Sequence, residues 1–259
     1  MLKLIRNSLI EKLIKSNIFF LYYSNHFIRI FRYFLLPYEN DWNVFKKFKI
    51  KKNQIILDIG SHWGESFFTF KKYYANKIYC FEPDKDSFYY LKKITKNSNV
   101  KLFNFGISGN IKKQKLYFPT FRGKKLTLWG SRSEILLKKR LKEFTFINPD
   151  KIKFISNIYN FKKINISREV GIIKIDVEGY EYDVLKGINQ NCFRSAKLIF
   201  LEFNKNNYQS CERFLKKRGF ESHVFFKNKL KKVNYNYIKK FTKLKKTSSN
   251  IIFLKIKKI

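Results

Sequence analysis

The sequence predicts an α/β fold, a mostly parallel sheet with helices on both faces, and three observations carry that expectation. The apolar run Ile55-Ile56-Leu57-Asp58-Ile59 leads straight into the turn Gly60-Ser61-His62-Trp63-Gly64. A second apolar run ends at Cys80-Phe81-Glu82-Pro83, and a third, Gly171 to Val177, carries Asp176 and then Glu178 at its end. Strand, glycine turn, helix and strand, with acids left at the carboxyl ends of the strands, is the order in which α/β sheets hold nucleoside-bearing cofactors.

The elements follow from the pattern of apolar residues. Tyr38 to Phe48, after Pro37, reads as a linker or short helix. Ile55 to Ile59 is the first strand, Glu65 to Tyr74 the first helix, Lys77 to Glu82 the second strand, Asp84 to Lys96 the second helix and Val100 to Gly106 the third strand. Crossover helices joining parallel strands are the economical arrangement for that order. The stretch from Ile107 to Val170 is less regular, with short strands at Lys115 to Phe118 and Phe154 to Ile158. Gly171 to Val177 is a buried strand, and the helix Tyr180 to Leu185 after it ends at Gly187. Leu198 to Phe203, Glu221 to Phe226 and the tail Asn250 to Leu254 are further strands, with a helix from Tyr208 to Arg218. Asn228 to Ser248 reads as a basic connection.

A chain of 259 residues suffices for one such domain with an extension. The division expected is a helical N-terminal extension over residues 1–50 and a main domain over 51–259, with an insertion at about 107–170 facing the substrate. The 56 basic and 19 acidic residues give a formal charge of +37, attractive to phosphates, nucleic acid or an anionic bilayer. Because the lysines are spread along the chain among many Phe, Ile, Asn and Tyr residues, this balance reflects compositional bias as much as a dedicated nucleic-acid surface. Cys80, Cys192 and Cys211 are an odd, widely spaced set. Neither a disulfide framework nor a zinc site is indicated, and with only His26, His62 and His223 a multi-histidine metal centre is not expected.

The first residues do not form a signal peptide, so a cytoplasmic location is the expectation. Asn17 to Leu36 is rich in Phe, Leu, Ile and Tyr but is interrupted by His26, Arg29 and Arg32, against a membrane span. It is either a helix lying on the inner face of an anionic membrane or one packed across the main domain.

Gly60 and Gly64 stand where a side chain would block the turn and a ligand's approach to the helix N-terminus. Their spacing is neither the dinucleotide fingerprint nor a phosphate loop. Asp58 is suited to orienting the turn's amides and Glu82 to accepting two ribose hydroxyls. His62 and Trp63 either flank a cofactor or serve the turn and core. Asp176, Glu178 and Glu181 are acids within and after an apolar strand, where ionised groups are costly without partners. They face a pocket, hold Lys174, bind a cation or cap the next helix.

Read together with Lys174-Ile175-Asp176-Val177-Glu178-Gly179-Tyr180-Glu181 and Val184-Leu185-Lys186-Gly187, these residues resemble the FkbM-type family of S-adenosylmethionine-dependent methyltransferases over roughly Ile55 to Glu202. Asp58, Gly60 and Gly64 match the family's first cofactor motif, Glu82-Pro83 its ribose-side motif, and Asp176, Glu178, Gly179 and Glu181 its acidic signature, with Glu202 at a further acidic position. Ser61 and His62 depart from the common small residue plus Asn. The resemblance implies a class I, Rossmann-like methyltransferase fold with a mostly parallel seven-stranded sheet, S-adenosyl-L-methionine as cofactor, and methylation of oxygen on a glycan, glycolipid precursor or small polyhydroxy metabolite. Asp58, Gly60, His62, Gly64 and Glu82 are then the cofactor residues. Asp176 is the first candidate for removing the acceptor's proton, with Glu178 and Glu202 ranked next. An RNA or nucleotide acceptor and a non-catalytic cofactor-binding or membrane-associated scaffold are the alternatives.

Overall fold

A computed structural model describes residues 40–121, 124–127, 130–131, 133–144, 153–203, 206–238 and 250–256. The chain divides into two compact units, one made of residues 37–113 with 159–259 and the other of 1–36 with 114–158.

The larger unit is built on an eight-stranded sheet. Its strands are β1 (Ile55–Ile59), β2 (Ile78–Phe81), β3 (Val100–Phe103), β8 (Val170–Ile175), β9 (Leu198–Glu202), β10 (Phe220–Phe226), β11 (Lys229–Lys232) and β12 (Asn250–Lys255), in the order β11-β10-β12-β9-β8-β1-β2-β3. From β3 to β9 neighbouring strands are parallel. From β9 outward they are antiparallel. The expected seven-stranded, mostly parallel sheet is thus corrected to eight strands in a mixed sheet. The tail strand β12 slots between β9 and β10, and β10 turns back on itself as a hairpin, which no crossover helix could do in two residues. The turn is Lys227-Asn228, both at positive φ, the conformation whose twist suits two-residue hairpins. Part of the expected basic connection from Asn228 is therefore strand β11.

Strand alternation gives each side of the sheet its own core. Leu57, Ile59, Ile173, Ile175, Ile199 and Phe253 pack on one side. The helices Glu181–Gly187, Gln190–Ser195 and Tyr208–Lys216 contribute Val184, Leu185, Phe193, Tyr208 and Leu215 to that layer. On the other side Ile56, Ile172, Phe200 and Ile252 meet Phe67 and Phe70 of α1 (Glu65–Tyr73) and Leu91 of α2 (Lys85–Ile94). Trp42 and Phe45 of a 3₁₀ helix, Asn40–Lys47, complete that layer. The main domain's packing therefore begins before residue 50. The membrane-facing expectation for Asn17 to Leu36 lies outside the described residues. Among the described residues no helix is long and apolar enough to cross a membrane.

The insertion contains more structure than two short strands. The strand expected at Lys115 to Phe118 is present and longer, β5 (Lys113–Phe121), and a further strand before the helix, β6 (Lys124–Lys125), pairs with it antiparallel through Thr120 and Lys125. The Thr120 N–H donates to the Lys153 carbonyl, and Leu137 and Leu141 of the helix Glu134–Phe144 are buried. In the larger unit the two-residue strand β4 (Gly106–Ile107) runs parallel to the end of β7 (Phe154–Lys162).

Candidate functional site

Strand β1 lies between β2, which continues to β3, and β8, which continues to β9. The chain's direction of progress across the sheet reverses here, and the carboxyl ends at such a point are where α/β sheets take ligands. The turn Gly60 to Gly64, Glu82 and Asp176 all emerge there.

The turn is held mainly by backbone. Gly60 and Ser61 N–H groups both donate to the Phe81 carbonyl, at 3.0 and 3.1 Å, and the Gly64 N–H donates to Ser61 at 2.7 Å. Gly60 has φ +76°, and a Cβ there would stand 1.9 Å from the Asp176 carbonyl oxygen. Gly64 has φ +94°, and its Cβ would meet the Ile94 side chain of α2 at 2.3 Å. Both glycines are required, but the obstruction they avoid is the neighbouring protein rather than an incoming ligand.

Glu82 binds this turn from the next strand. Its two oxygens accept the N–H of His62 at 2.9 Å and of Asp84 at 2.8 Å. Burial pushes its carboxyl up to about 7, against the pull of His62 and the two N–H donors. Each oxygen retains a second acceptor position, so the group suits a pair of hydroxyls. His62 has φ +45°, unusual for a non-glycine residue, and its ring lies parallel to Trp63 with centroids 5.2 Å apart. Its Nδ1 is 3.1 Å from Glu65 Oε1.

Asp58 departs from its expected role. Its side chain is fully buried, on the α1 side of the sheet, and the turn's amides go elsewhere. Ser66 Oγ donates to its Oδ2 at 2.5 Å, and Lys174 Nζ is 3.3 Å from its Oδ1. Asp58 and Lys174 are direct partners in the β1–β8 register, so one row of an apolar sheet carries a buried ion pair. Lys174 Nζ also donates to the Gly60 carbonyl at 2.6 Å and lies 3.7 Å from Asp176 Oδ2. Burial alone would depress this lysine's pKa. Asp58 and then Asp176 outweigh that, and the net shift is upward.

Asp176 follows β8 with its side chain 38% exposed. Glu178 is exposed at φ +55° and is followed by Gly179 at φ +101°. Glu181, the third acid of the segment, is fully buried: its carboxylate accepts the Gly179 N–H at 2.8 Å and an Asn207 amide hydrogen at 2.5 Å. Burial raises its pKa. Glu202 ends β9, and Ile175 pairs with Leu201, so Asp176 and Glu202 leave adjacent strands side by side. Asp176, Glu178 and Glu202 do not gather, among the described residues, into a cluster of the kind that holds a metal ion. Sequence reasoning gave no role to Ser66 or Asn207. Ser66 is the second residue of α1 and its hydroxyl meets Asp58, and Asn207 precedes the helix Tyr208–Lys216, a position that favours such residues.

The model of the methyltransferase FkbM domain matches residues 58–237, more than half of the chain. No curated protein matches. Solved structures similar to the chain include an rRNA methylase from Streptococcus thermophilus, at 7% identity and a TM-score of 0.45 over 85% of this chain and 97% of that one. A TehB-like SAM-dependent methyltransferase from Corynebacterium glutamicum has 10% identity and a TM-score of 0.44 over 90% and 96%. A SAM-dependent O-methyltransferase from Thermotoga maritima has 10% identity and a TM-score of 0.42 over 87% and 67%. The chain belongs to the FkbM methyltransferase family and is an S-adenosylmethionine-dependent methyltransferase.

Proposed function

We propose that this FkbM-family enzyme methylates a hydroxyl oxygen of a polyhydroxy acceptor, a glycan, glycolipid precursor or small metabolite, with Asp176 taking the proton that the hydroxyl gives up. The observation that carries this reading is the placement of Asp176. It is a partly exposed carboxylate at the strand ends, against a buried ammonium, one backbone step from the glycine turn.

The residues present suit the cofactor. Glu82 would hold its ribose hydroxyls, and the turn from Gly60 to Gly64 with the His62–Trp63 pair would lie against the nucleoside. Bound S-adenosylmethionine supplies an electrophilic methyl group. The chain's own task is to align the acceptor oxygen, keep bulk water away and receive the proton. Glu178, in the loop after β8, and Glu202, at the end of β9, would supply further acceptors for the hydroxyls of a sugar-like substrate.

A formal charge of +37 favours a second reading, in which the hydroxyl belongs to RNA or a nucleotide. One experiment separates the two. The enzyme and S-adenosylmethionine carrying a labelled methyl are incubated with total RNA, a glycan and lipid extract, and a small-metabolite fraction of the source cell. Label in the second or third fraction, lost in Asp176→Asn while cofactor affinity stays, is expected. Nuclease-sensitive label confined to RNA would replace the first reading with the second.

A further inference from the structure

We propose that Lys174 is a positioning residue for methyl transfer: its buried ammonium ties the cofactor turn to the acidic loop, so that filling the turn also holds Asp176 in place. Lys174 is 2% exposed, and three oxygens surround its Nζ: Gly60 O at 2.6 Å, Asp58 Oδ1 at 3.3 Å and Asp176 Oδ2 at 3.7 Å. One buried cation thus touches β1, the turn that follows it and the loop after β8.

The three oxygens differ in what else holds them. Asp58 also has Ser66. The turn is fixed independently by the Phe81 and Ser61 carbonyls and by Glu82. Asp176 has a backbone tie, its N–H to Ile59 O at 3.1 Å, but Lys174 is the ion-pair partner of its carboxylate among the described residues. Loss of the ammonium would therefore leave the turn largely in place and release the Asp176 side chain. The loop's far end is fixed separately, since Asn207 donates both to the Gly179 carbonyl at 2.8 Å and to Glu181. Between these two anchors Glu178 and Gly179 both sit at positive φ, a conformation that persists when its surroundings over-determine it. A lysine at one end and an asparagine at the other make the loop responsive to whatever steadies the Gly60 carbonyl.

This inference rests on the family's cofactor occupying the turn, and the acceptor's identity does not enter it. The test is hydrogen exchange by mass spectrometry on the full chain, with and without S-adenosylhomocysteine, alongside calorimetry. In the wild type the ligand is expected to slow exchange at least about threefold in both segments, 58–66 and 175–182. Asp58→Asn/Lys174→Gln removes both buried charges together, so that neither is left unpaired. It should bind S-adenosylhomocysteine within about threefold of wild type and keep the protection of 58–66, while 175–182 no longer responds. Asp176→Asn, a change at a partly exposed side chain, should give the same loss if the double variant fails to fold. A loop that still responds in either folded variant overturns the proposal. Protection of the turn without the loop in wild type overturns it alone, whereas no binding of S-adenosylhomocysteine overturns both it and the cofactor site.

Discussion

Two lysine–carboxylate pairs sit on the same sheet, Lys174 with Asp58 in its central row and Lys232 with Glu221 near its hairpin edge. The first is buried on both sides, the second has a lysine side chain 65% exposed. By composition they are equivalent. Physically they are opposites, because an exposed pair exchanges one solvated state for another while a buried pair leaves water only if every charge is answered. The chain's charge of +37 is therefore a poor guide to where its charges matter.

The sharpest way to break this comparison is to remove one side of the central pair. Lys174→Ala would leave Asp58 buried with Ser66 as its remaining close partner and strip the Gly60 carbonyl of its donor. Uncompensated burial of one member of such a pair costs about 3–5 kcal/mol, a large share of a domain's whole stability. Denaturant unfolding should register that loss, and adding Asp58→Asn to Lys174→Gln should recover much of it. A stability within about 1 kcal/mol of wild type for Lys174→Ala would mean the central pair behaves like the surface one.

Legibility in the sequence follows the same division between centre and edge. The parallel half was readable because each strand is a short apolar run punctuated by glycine or by an acid, as Ile55 to Gly60 and Cys80 to Glu82 are. Strand β11, Lys-Leu-Lys-Lys, has no apolar face to read, and only Asn228 at its turn marks the reversal. Antiparallel insertion of β12 depends on partners far away in the chain, which periodicity does not encode. At the site, the positions of Glu82 and Asp176 at strand ends were visible. The enclosure of Asp58 was not, because its partners Ser66 and Lys174 come from a helix face and a strand register that only the packed sheet brings together. Gly64's reason was likewise hidden in α2, through Ile94.

Glu82 is an intermediate case, a buried acid answered by two backbone N–H groups and by the nearby His62 rather than by a lysine. Its carboxyl is raised from an ordinary 4.5 to about 7, so folding takes up a proton. The stability that this group contributes is fully present below about 4.5 and is lost as pH rises through about 7. Ligand hydroxyls favour the ionised form, so affinity for S-adenosylhomocysteine should rise with pH across the same window. Calorimetry at pH 5.5, 7 and 8.5 checks the trend. Glu82→Gln should flatten both dependences and weaken binding by about 1.5–3 kcal/mol, the worth of hydrogen bonds to a charged acceptor. A pH-independent affinity in wild type would place the ribose hydroxyls elsewhere.

The smallest effect is expected at the hairpin. Lys232 and Glu221 are joined by a direct hydrogen bond across β10 and β11, in a stretch where Lys229, Lys231 and Lys232 are all exposed. The pair lowers the Glu221 pKa through that hydrogen bond, yet both groups remain in contact with solvent that would serve them almost as well. The hairpin's own geometry comes from the Lys227-Asn228 turn and from Val224 and Phe225 packing inward, neither of which the pair supports. Lys232→Ala should therefore leave the melting temperature within about 1 °C of wild type. The small difference should shrink further as salt screens the remaining attraction. A drop of more than about 4 °C would show that this edge depends on its ion pair, and the contrast with Lys174 would no longer be one of burial.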